Sequence, residues 1–194
     1  WAPRDFVMSG HRARSKNAIF PEHVRQKMLR TGKKYIDDVK GRATVFIGGE
    51  RVDDITTHPA FCNAVQSVAR LYNVTSDPAN VGDLTYDEPE TGERCNNIFM
   101  RPRSQADLTA RRRTHEAWAE TTWGLLGRSP DHVASFITGM ACKPDVFDMH
   151  DQGFSKNILD YWRYIRDNDL YLAYAVVPPA GAKGAEAVAT PLKD

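Results

Sequence analysis

Arg128-Ser-Pro-Asp places a guanidinium, a hydroxyl, a proline and a carboxylate in immediate succession. Ser129 is an N-cap candidate, and Pro130 suits the first helical position, where a missing N–H has no partner to lose. Asp131 then falls in the first turn, where a carboxylate complements the helix dipole. Arg128 would stand just outside that helix N-terminus. A guanidinium and unpaired backbone N–H groups would share one small volume, which suits a phenolate or a carboxylate. The alternative is an ion pair of Arg128 with Asp131 or a neighbouring carboxylate, a common fate for charges near a surface.

Other chemistries are less well supported. His58 and Cys62 are four apart, a spacing that can put two metal ligands on one helix face, but no second pair has comparable spacing. Glycine-rich phosphate loops, dinucleotide fingerprints and the G-x-S-x-G nucleophile elbow are absent from the sequence. Arg111-Arg112-Arg113 is followed by Glu116 and Glu120 at helical spacing, so it reads as a solvated, ion-paired face. Trp118, Trp123, Trp162 and the tyrosines at 161, 164, 171 and 174 could stack on a flat ring, although aromatics at helical spacing more often form core.

Around Arg128, Gly124 and Gly127 break the preceding helix, and Val133, Phe136, Ile137 and Met140 predict one buried face on the helix that follows. That preceding helix opens at Ser104-Gln-Ala-Asp107, a capping box with Asp for the usual Glu, and puts Leu108, His115, Trp118 and Ala119 on one face. Earlier, Thr31 or Gly32 starts a short helix with Tyr35, Ile36 and Val39, ended by Gly41. Thr44–Ile47, Gly48-Gly49 and Glu50–Val52 spell a hairpin. Thr56-Thr-His-Pro59 reads as the entry to a helix striped by Phe61, Val65, Val68, Ala69 and Tyr72, and turn-rich residues 73–97 read as a long loop. Ser155 or Lys156 starts a last helix through Ile158, Trp162 and Ile165. Leu170–Val177, stopped by Pro178-Pro179, reads as a buried strand whose sheet is missing.

The fold class is therefore mainly α with an early hairpin and one late strand. With 26% charged and 41% apolar residues, the 194-residue chain can bury a core, and its net charge of +1 gives no electrostatic case for nucleic acid. Three scattered cysteines, no membrane-length apolar run and no leader pattern predict reduced thiols in a cytoplasmic protein. The chain begins with Trp1, and residues 1–27 lack periodicity, so they read as a disordered or non-native extension ahead of a start at Met28 or Met8. Residues 28–169 form the helical domain, and residues 170–194 begin a second domain of β structure.

From Met28 onward the chain resembles the large component of the 4-hydroxyphenylacetate 3-hydroxylase family. The motifs are Arg30-Thr-Gly-Lys-Lys-Tyr-Ile, Gly49-Glu-Arg-Val, Thr56-Thr-His-Pro-Ala-Phe, Leu71-Tyr72, Arg101-Pro-Arg-Ser, Gly127-Arg-Ser-Pro-Asp, Arg166-Asp-Asn-Asp-Leu and Val177-Pro-Pro. The resemblance implies an acyl-CoA dehydrogenase-like fold, with an N-terminal helical domain, a middle β-barrel and a C-terminal bundle that assembles a homotetramer. This chain would be the helical domain plus the first barrel strand, inactive by itself. The implied activity is ortho-hydroxylation of a phenol with O2 and reduced FAD, the latter supplied by a separate NAD(P)H-flavin reductase.

Carried over residue by residue, the resemblance implies substrate contacts from Arg128, from His132 in place of a family aromatic, and from Tyr174 in place of a family His. It implies flavin contacts from Val177, Pro178, Pro179 and Ala180, the last standing where a Gln is common. Arg128 would supply positive potential, and His132 or Tyr174 would hydrogen-bond the phenol, with His132 able to act as a base. Two alternatives are a sister branch of the same fold that dehydrates hydroxyacyl-CoA on an iron–sulfur cluster, which needs clustered cysteines, and a non-catalytic helical binding module.

Overall fold

The computed structural model describes residues 29–124, 131–149 and 153–174. The first helix, α1 (Gly32–Val39), begins where Thr31 Oγ1 accepts the Lys34 N–H, and the chain turns away at Gly41 with φ +66°. β1 (Val45–Ile47) and β2 (Glu50–Val52) pair antiparallel with Ile47 opposite Glu50. Gly48 and Gly49 both take positive φ, as a two-residue hairpin turn of this hand requires.

α2 (Cys62–Ser76) buries Val65, Val68, Ala69, Leu71, Tyr72 and Thr75. Its start differs from the sequence expectation. Asp54 Oδ1 accepts both the Thr56 N–H and the Thr56 hydroxyl, which folds residues 54–61 into successive turns, and the helix proper begins only at Cys62. His58 thus precedes the helix, with its Nδ1 accepting the Ala60 N–H.

The expected long loop at 73–97 is a correction. α2 runs to Ser76, α3 (Val81–Leu84) follows, and β3 (Thr85–Asp87) pairs antiparallel with β4 (Arg94–Asn96). The turn signals are real, but they punctuate short elements. Asp77-Pro78 leads into α3, and the Glu88–Gly92 turn closes the second hairpin. Strands this short carry no periodicity, and burial of Thr85, Cys95 and Asn96 in the tertiary fold holds them.

A 3₁₀ segment (Asn97–Phe99) then leads to α4 (Gln105–Thr121), whose capping box is complete: Ser104 Oγ accepts the Asp107 N–H and Asp107 accepts the Ser104 N–H. Gly124, at φ +67°, follows its end. α5 (His132–Cys142), a 3₁₀ turn at Pro144–Asp148 and α6 (Phe154–Asp167) complete the described chain. Leu71, Ile98, Phe99, Trp118, Ala134 and Ile165 form the core, with Leu170, Tyr171 and Leu172 packed on it.

Two predicted faces are rotated. On α5 the buried residues are Ala134, Thr138 and Ala141, and Phe136 is exposed. Small side chains let this helix approach the 3₁₀ segment, where the Thr138 hydroxyl donates to the Ile98 carbonyl at 3.4 Å. On α4 the buried set is Arg111, Thr114 and Trp118, and Leu108 is half-exposed. Leu170–Tyr174 has no strand partner among the described residues, and the rest of the predicted strand lies outside them.

Candidate functional site

α4 and α5 meet at Asp131. Asp131, 2% exposed, is the N-cap residue of α5 and not part of its first turn. Ser129, Pro130 and Arg128 lie outside the described residues, as does Gly127. The Asp131 carboxylate makes no cap hydrogen bond to the helix. Its Oδ2 accepts the Ser135 hydroxyl and stands 2.9 Å from His115 Nε2 on α4.

Ser135 Oγ in turn accepts from Arg111 Nη2 at 2.8 Å. Arg111 Nη1 donates to the carbonyls of Ile98 and Met100, both at 2.7 Å, and to that of Asn97 at 3.4 Å. Of the Arg111–Arg113 run, only the other two belong to the solvated face: Arg112 pairs with Glu116 at 3.5 Å and Arg113 with Asp83 at 3.9 Å. Arg111 is buried because it lies on the Thr114/Trp118 stripe, and exposed 3₁₀ carbonyls stand ready to receive it. Burial loosens its hold on its proton, and the nearby Asp131 charge opposes that loss. Sequence reasoning gave no site role to Arg111, Asp131 or His115. The signal that could have found the first was Arg111, Thr114 and Trp118 at i, i+3 and i+7.

His132 opens α5, one residue after this buried carboxylate. Tyr174, far along the chain, comes to it: the two rings meet edge to face with centroids 6.4 Å apart. Tyr174 is 66% exposed and His132 half-buried, so the pair is an open aromatic corner. Two of the residues predicted to contact a phenol are thus neighbours. Tyr171, earlier in the same segment, has its phenol pKa raised by burial first, and then by Tyr35 and Asp131.

The residues predicted to touch flavin, Val177, Pro178, Pro179 and Ala180, lie outside the described residues. A cavity of about 190 Å³ between the β3–β4 turn and the start of α4, lined by Tyr86, Glu88, Met100, Arg101 and Asp107, is below the roughly 300–1,000 Å³ of small-molecule sites. It is too small to be a flavin site. Among the described residues there is no group of three His, Cys, Asp or Glu placed to hold a metal, and no helix long and apolar enough to cross a membrane. Cys95 is buried, with its thiol pKa pushed up to about 12 by that burial, while Cys142 is exposed.

The family "4-hydroxyphenylacetate 3-hydroxylase N terminal" matches residues 31–193. The chain belongs to this family. Among similar proteins, the 4-hydroxyphenylacetate 3-monooxygenase oxygenase component of Thermus thermophilus is 37% identical over 153 residues, 78% of this chain and 31% of that protein. The 4-nitrophenol 2-monooxygenase oxygenase component of a Rhodococcus species is 35% identical over 150 residues, 77% of this chain and 28% of that one. A crystal structure of a 4-hydroxyphenylacetate 3-monooxygenase oxygenase component complexed with FAD superposes with TM-score 0.66 at 37% identity, covering 73% of this chain and 29% of the other. The chain therefore spans about 30% of the length of the relatives it matches. An archaeal 4-hydroxybutyryl-CoA dehydratase from N. maritimus, at 20% identity and TM-score 0.63, shares the fold. Helical architecture with two small antiparallel pairs, in the acyl-CoA dehydrogenase-like class, agrees with these neighbours.

Proposed function

We propose that this chain is the substrate-side helical part of an oxygenase that hydroxylates a small phenol ortho to its hydroxyl, using O2 and reduced FAD delivered by a separate NAD(P)H-flavin reductase. The observation that carries the reading is the His132–Tyr174 corner. Two residues chosen as phenol contacts from sequence, and far apart in it, stand ring edge to ring face at 6.4 Å.

Bound reduced FAD, together with O2, would supply the oxygen atom added to the ring. The chain's own residues have three tasks: to bind the ring, to orient it and to draw on its hydroxyl proton. An exposed edge-to-face pair offers a third flat ring the offset or edge contacts that aromatic groups prefer. The His132 imidazole can accept the phenol proton or hydrogen-bond the phenolate, and the Tyr174 hydroxyl can do the latter. Phenolate character enriches the ortho carbon in electrons, which an electrophilic oxygen requires. Arg128, at the entry to the same helix in sequence, would add positive potential for that phenolate or for a substrate carboxylate.

Val177, Pro178, Pro179 and Ala180 would lie against the flavin. Residues 170–194 are read as the start of a middle β-barrel after a helical domain at 28–169. A homotetramer of the whole protein, working in the cytoplasm, completes the proposal. The relatives support the class: one is named for 4-hydroxyphenylacetate and another for 4-nitrophenol, both phenols.

The test is to express the complete reading frame that encodes this chain. Reduced-FAD binding is titrated without oxygen, and a phenol panel is then assayed with oxygen for products heavier by one oxygen atom. Binding with an ortho-hydroxylated product is expected. A protein that neither binds reduced FAD nor oxygenates any phenol overturns the reading, and an Arg128→Ala variant with unchanged KM removes the role given to Arg128.

A further inference from the structure

We propose that Asp131 is a positioning residue for the aromatic corner: with Ser135 it brackets α5 against Arg111 and His115 of α4, and so fixes where His132 meets Tyr174. The role rests on reading that corner as the phenol site.

The first observation is what Asp131 does not do. An aspartate at an N-cap ordinarily accepts a backbone N–H of the first helical turn. Here no such bond forms, although the residue is 2% exposed and sits at the N-cap. The Oδ2 atom instead receives the Ser135 hydroxyl one turn on in the same helix and lies 2.9 Å from His115 Nε2 on α4, the contact that crosses between helices.

The second observation is that the contact is doubled. Ser135 Oγ, one turn into α5, accepts from Arg111 Nη2 at 2.8 Å. Arg111 and His115 are four apart on α4 and therefore neighbours on one face. α4 thus meets the first turn of α5 at two points, by the Arg111–Ser135 hydrogen bond and by the close approach of His115 to the Asp131 carboxylate, and the far side of Arg111 is fixed to the Ile98 and Met100 carbonyls. Rotation of α5 about its axis would break both points together.

The third observation is adjacency. His132 follows Asp131 directly, so the peptide that carries its ring leaves from a buried, two-point anchor. Tyr174 hangs from a segment whose Leu170, Tyr171 and Leu172 pack on the core. One ring of the pair is set by the bracket and the other by the core. Removing the bracket should move the first ring relative to the second without unfolding the domain.

The test uses the 194-residue chain and needs no turnover. The readout is the nuclear Overhauser contact between His132 and Tyr174 ring protons, alongside the melting temperature. His115→Phe removes the α4 partner of the buried carboxylate at a position that is itself a third exposed. The ring contact is expected to fall at least fivefold, and His115→Gln, whose amide N–H can donate to the carboxylate, should restore most of it. Ser104→Ala, which breaks the capping box at the far end of α4, is the stability control and should lower the melting temperature while leaving the ring contact unchanged.

If His115→Phe fails to fold, Ser135→Ala decides, because it cuts the link to Arg111 and leaves the His115–Asp131 pair in place. Its ring contact should weaken while the cooperative melt remains. A ring contact unchanged in whichever of these two variants folds, lost equally in Ser104→Ala, or absent from the parent chain overturns the proposal. Failure of phenol oxygenation with the expected ring-contact pattern would remove the functional reading and leave the bracket standing.

Discussion

Asp169 and Tyr174 lie close together in sequence and inhabit opposite environments. Asp169, 5% exposed and in the left-handed region at φ 45°, is surrounded by partners. Its carboxylate accepts the Arg30 N–H at 3.1 Å and the Asn96 amide at 3.5 Å, and its carbonyl accepts the Tyr72 hydroxyl at 2.7 Å. Arg30 continues the network to Asp38 at 2.8 Å and stands 5.3 Å from the Tyr35 and Tyr72 ring centres. Among the described residues Tyr174 has one ring neighbour, His132, and it is 66% exposed. The first region joins the start of the described chain, α2, β4 and the end of α6. The second joins two aromatic rings and leaves room for a third. A closed polar network and an open aromatic corner are thus separated by a few residues of chain, and each can be broken without the other.

The largest break is in the closed region. Trp162 is fully buried, donates from Nε1 to the Phe99 carbonyl at 3.1 Å, and has the guanidinium groups of Arg101 and Arg166 at 4.2 Å and 4.4 Å from its ring centre. Trp162→Ala is expected to cost about 3–5 kcal/mol in chemical denaturation, enough to unfold a marginal domain. Gly32→Ala comes next. A Cβ there would sit 2.4 Å from the Ala69 carbonyl oxygen, so α1 must shift off α2, at about 1–3 kcal/mol by the same measurement.

Asp169 sharpens the comparison through pH. Burial raises its carboxyl pKa from the ordinary 3.8 to about 6, against smaller lowering effects of Arg30 and Asn96. Between those values the folded chain holds a proton that the unfolded chain has released. Stability from this group is therefore greatest at low pH and falls as pH rises from about 4 to about 6, by on the order of 2 kcal/mol. Asp38 and Glu90, held low by their Arg and Lys partners, contribute the opposite slope at more acid pH. In melts recorded across pH 4–7, Asp169→Asn is expected to flatten the fall; an unchanged slope would assign the fall to another group.

The smallest stability effect belongs to the open corner. Tyr174→Phe should change stability by no more than about 0.5 kcal/mol. In the complete reading-frame product it should weaken phenol binding severalfold, on the order of 1 kcal/mol for one lost hydrogen bond. A large loss of stability in this variant would erase the distinction between the two regions.

The sequence made the locally encoded features plain. The Gly48-Gly49 hairpin, the Ser104 capping box, the Thr31 start of α1 and the α2 and α6 stripes are each specified within a few residues, so reading them needs no knowledge of tertiary contacts. What escaped was decided at a distance. Phe136 reads as core by periodicity, yet α5 buries its alanines because the 3₁₀ carbonyls come close. Arg111 sits in a run of three arginines, and only the fold tells it from Arg112 and Arg113. The β3–β4 pair escaped because strands of three residues carry no period of their own. Motif resemblance supplied His132 and Tyr174 as candidates, and the fold makes them neighbours, while the bracket of Arg111, Ser135, Asp131 and His115 depends on two helices meeting.

If the aromatic corner is the proposed phenol site, the exposure of Tyr174 bears on how such a protein would take up a new substrate. A side chain that contributes recognition but little folding free energy can be replaced in one evolutionary step, with no compensating change elsewhere. His132 shares the corner but is tied by sequence to a buried anchor, so its ring can be exchanged only where the backbone beneath it stays put. On the proposed reading of the corner as a phenol site, lineages adapting to new phenols would therefore be expected to vary the Tyr174 side first and the Asp131 side last.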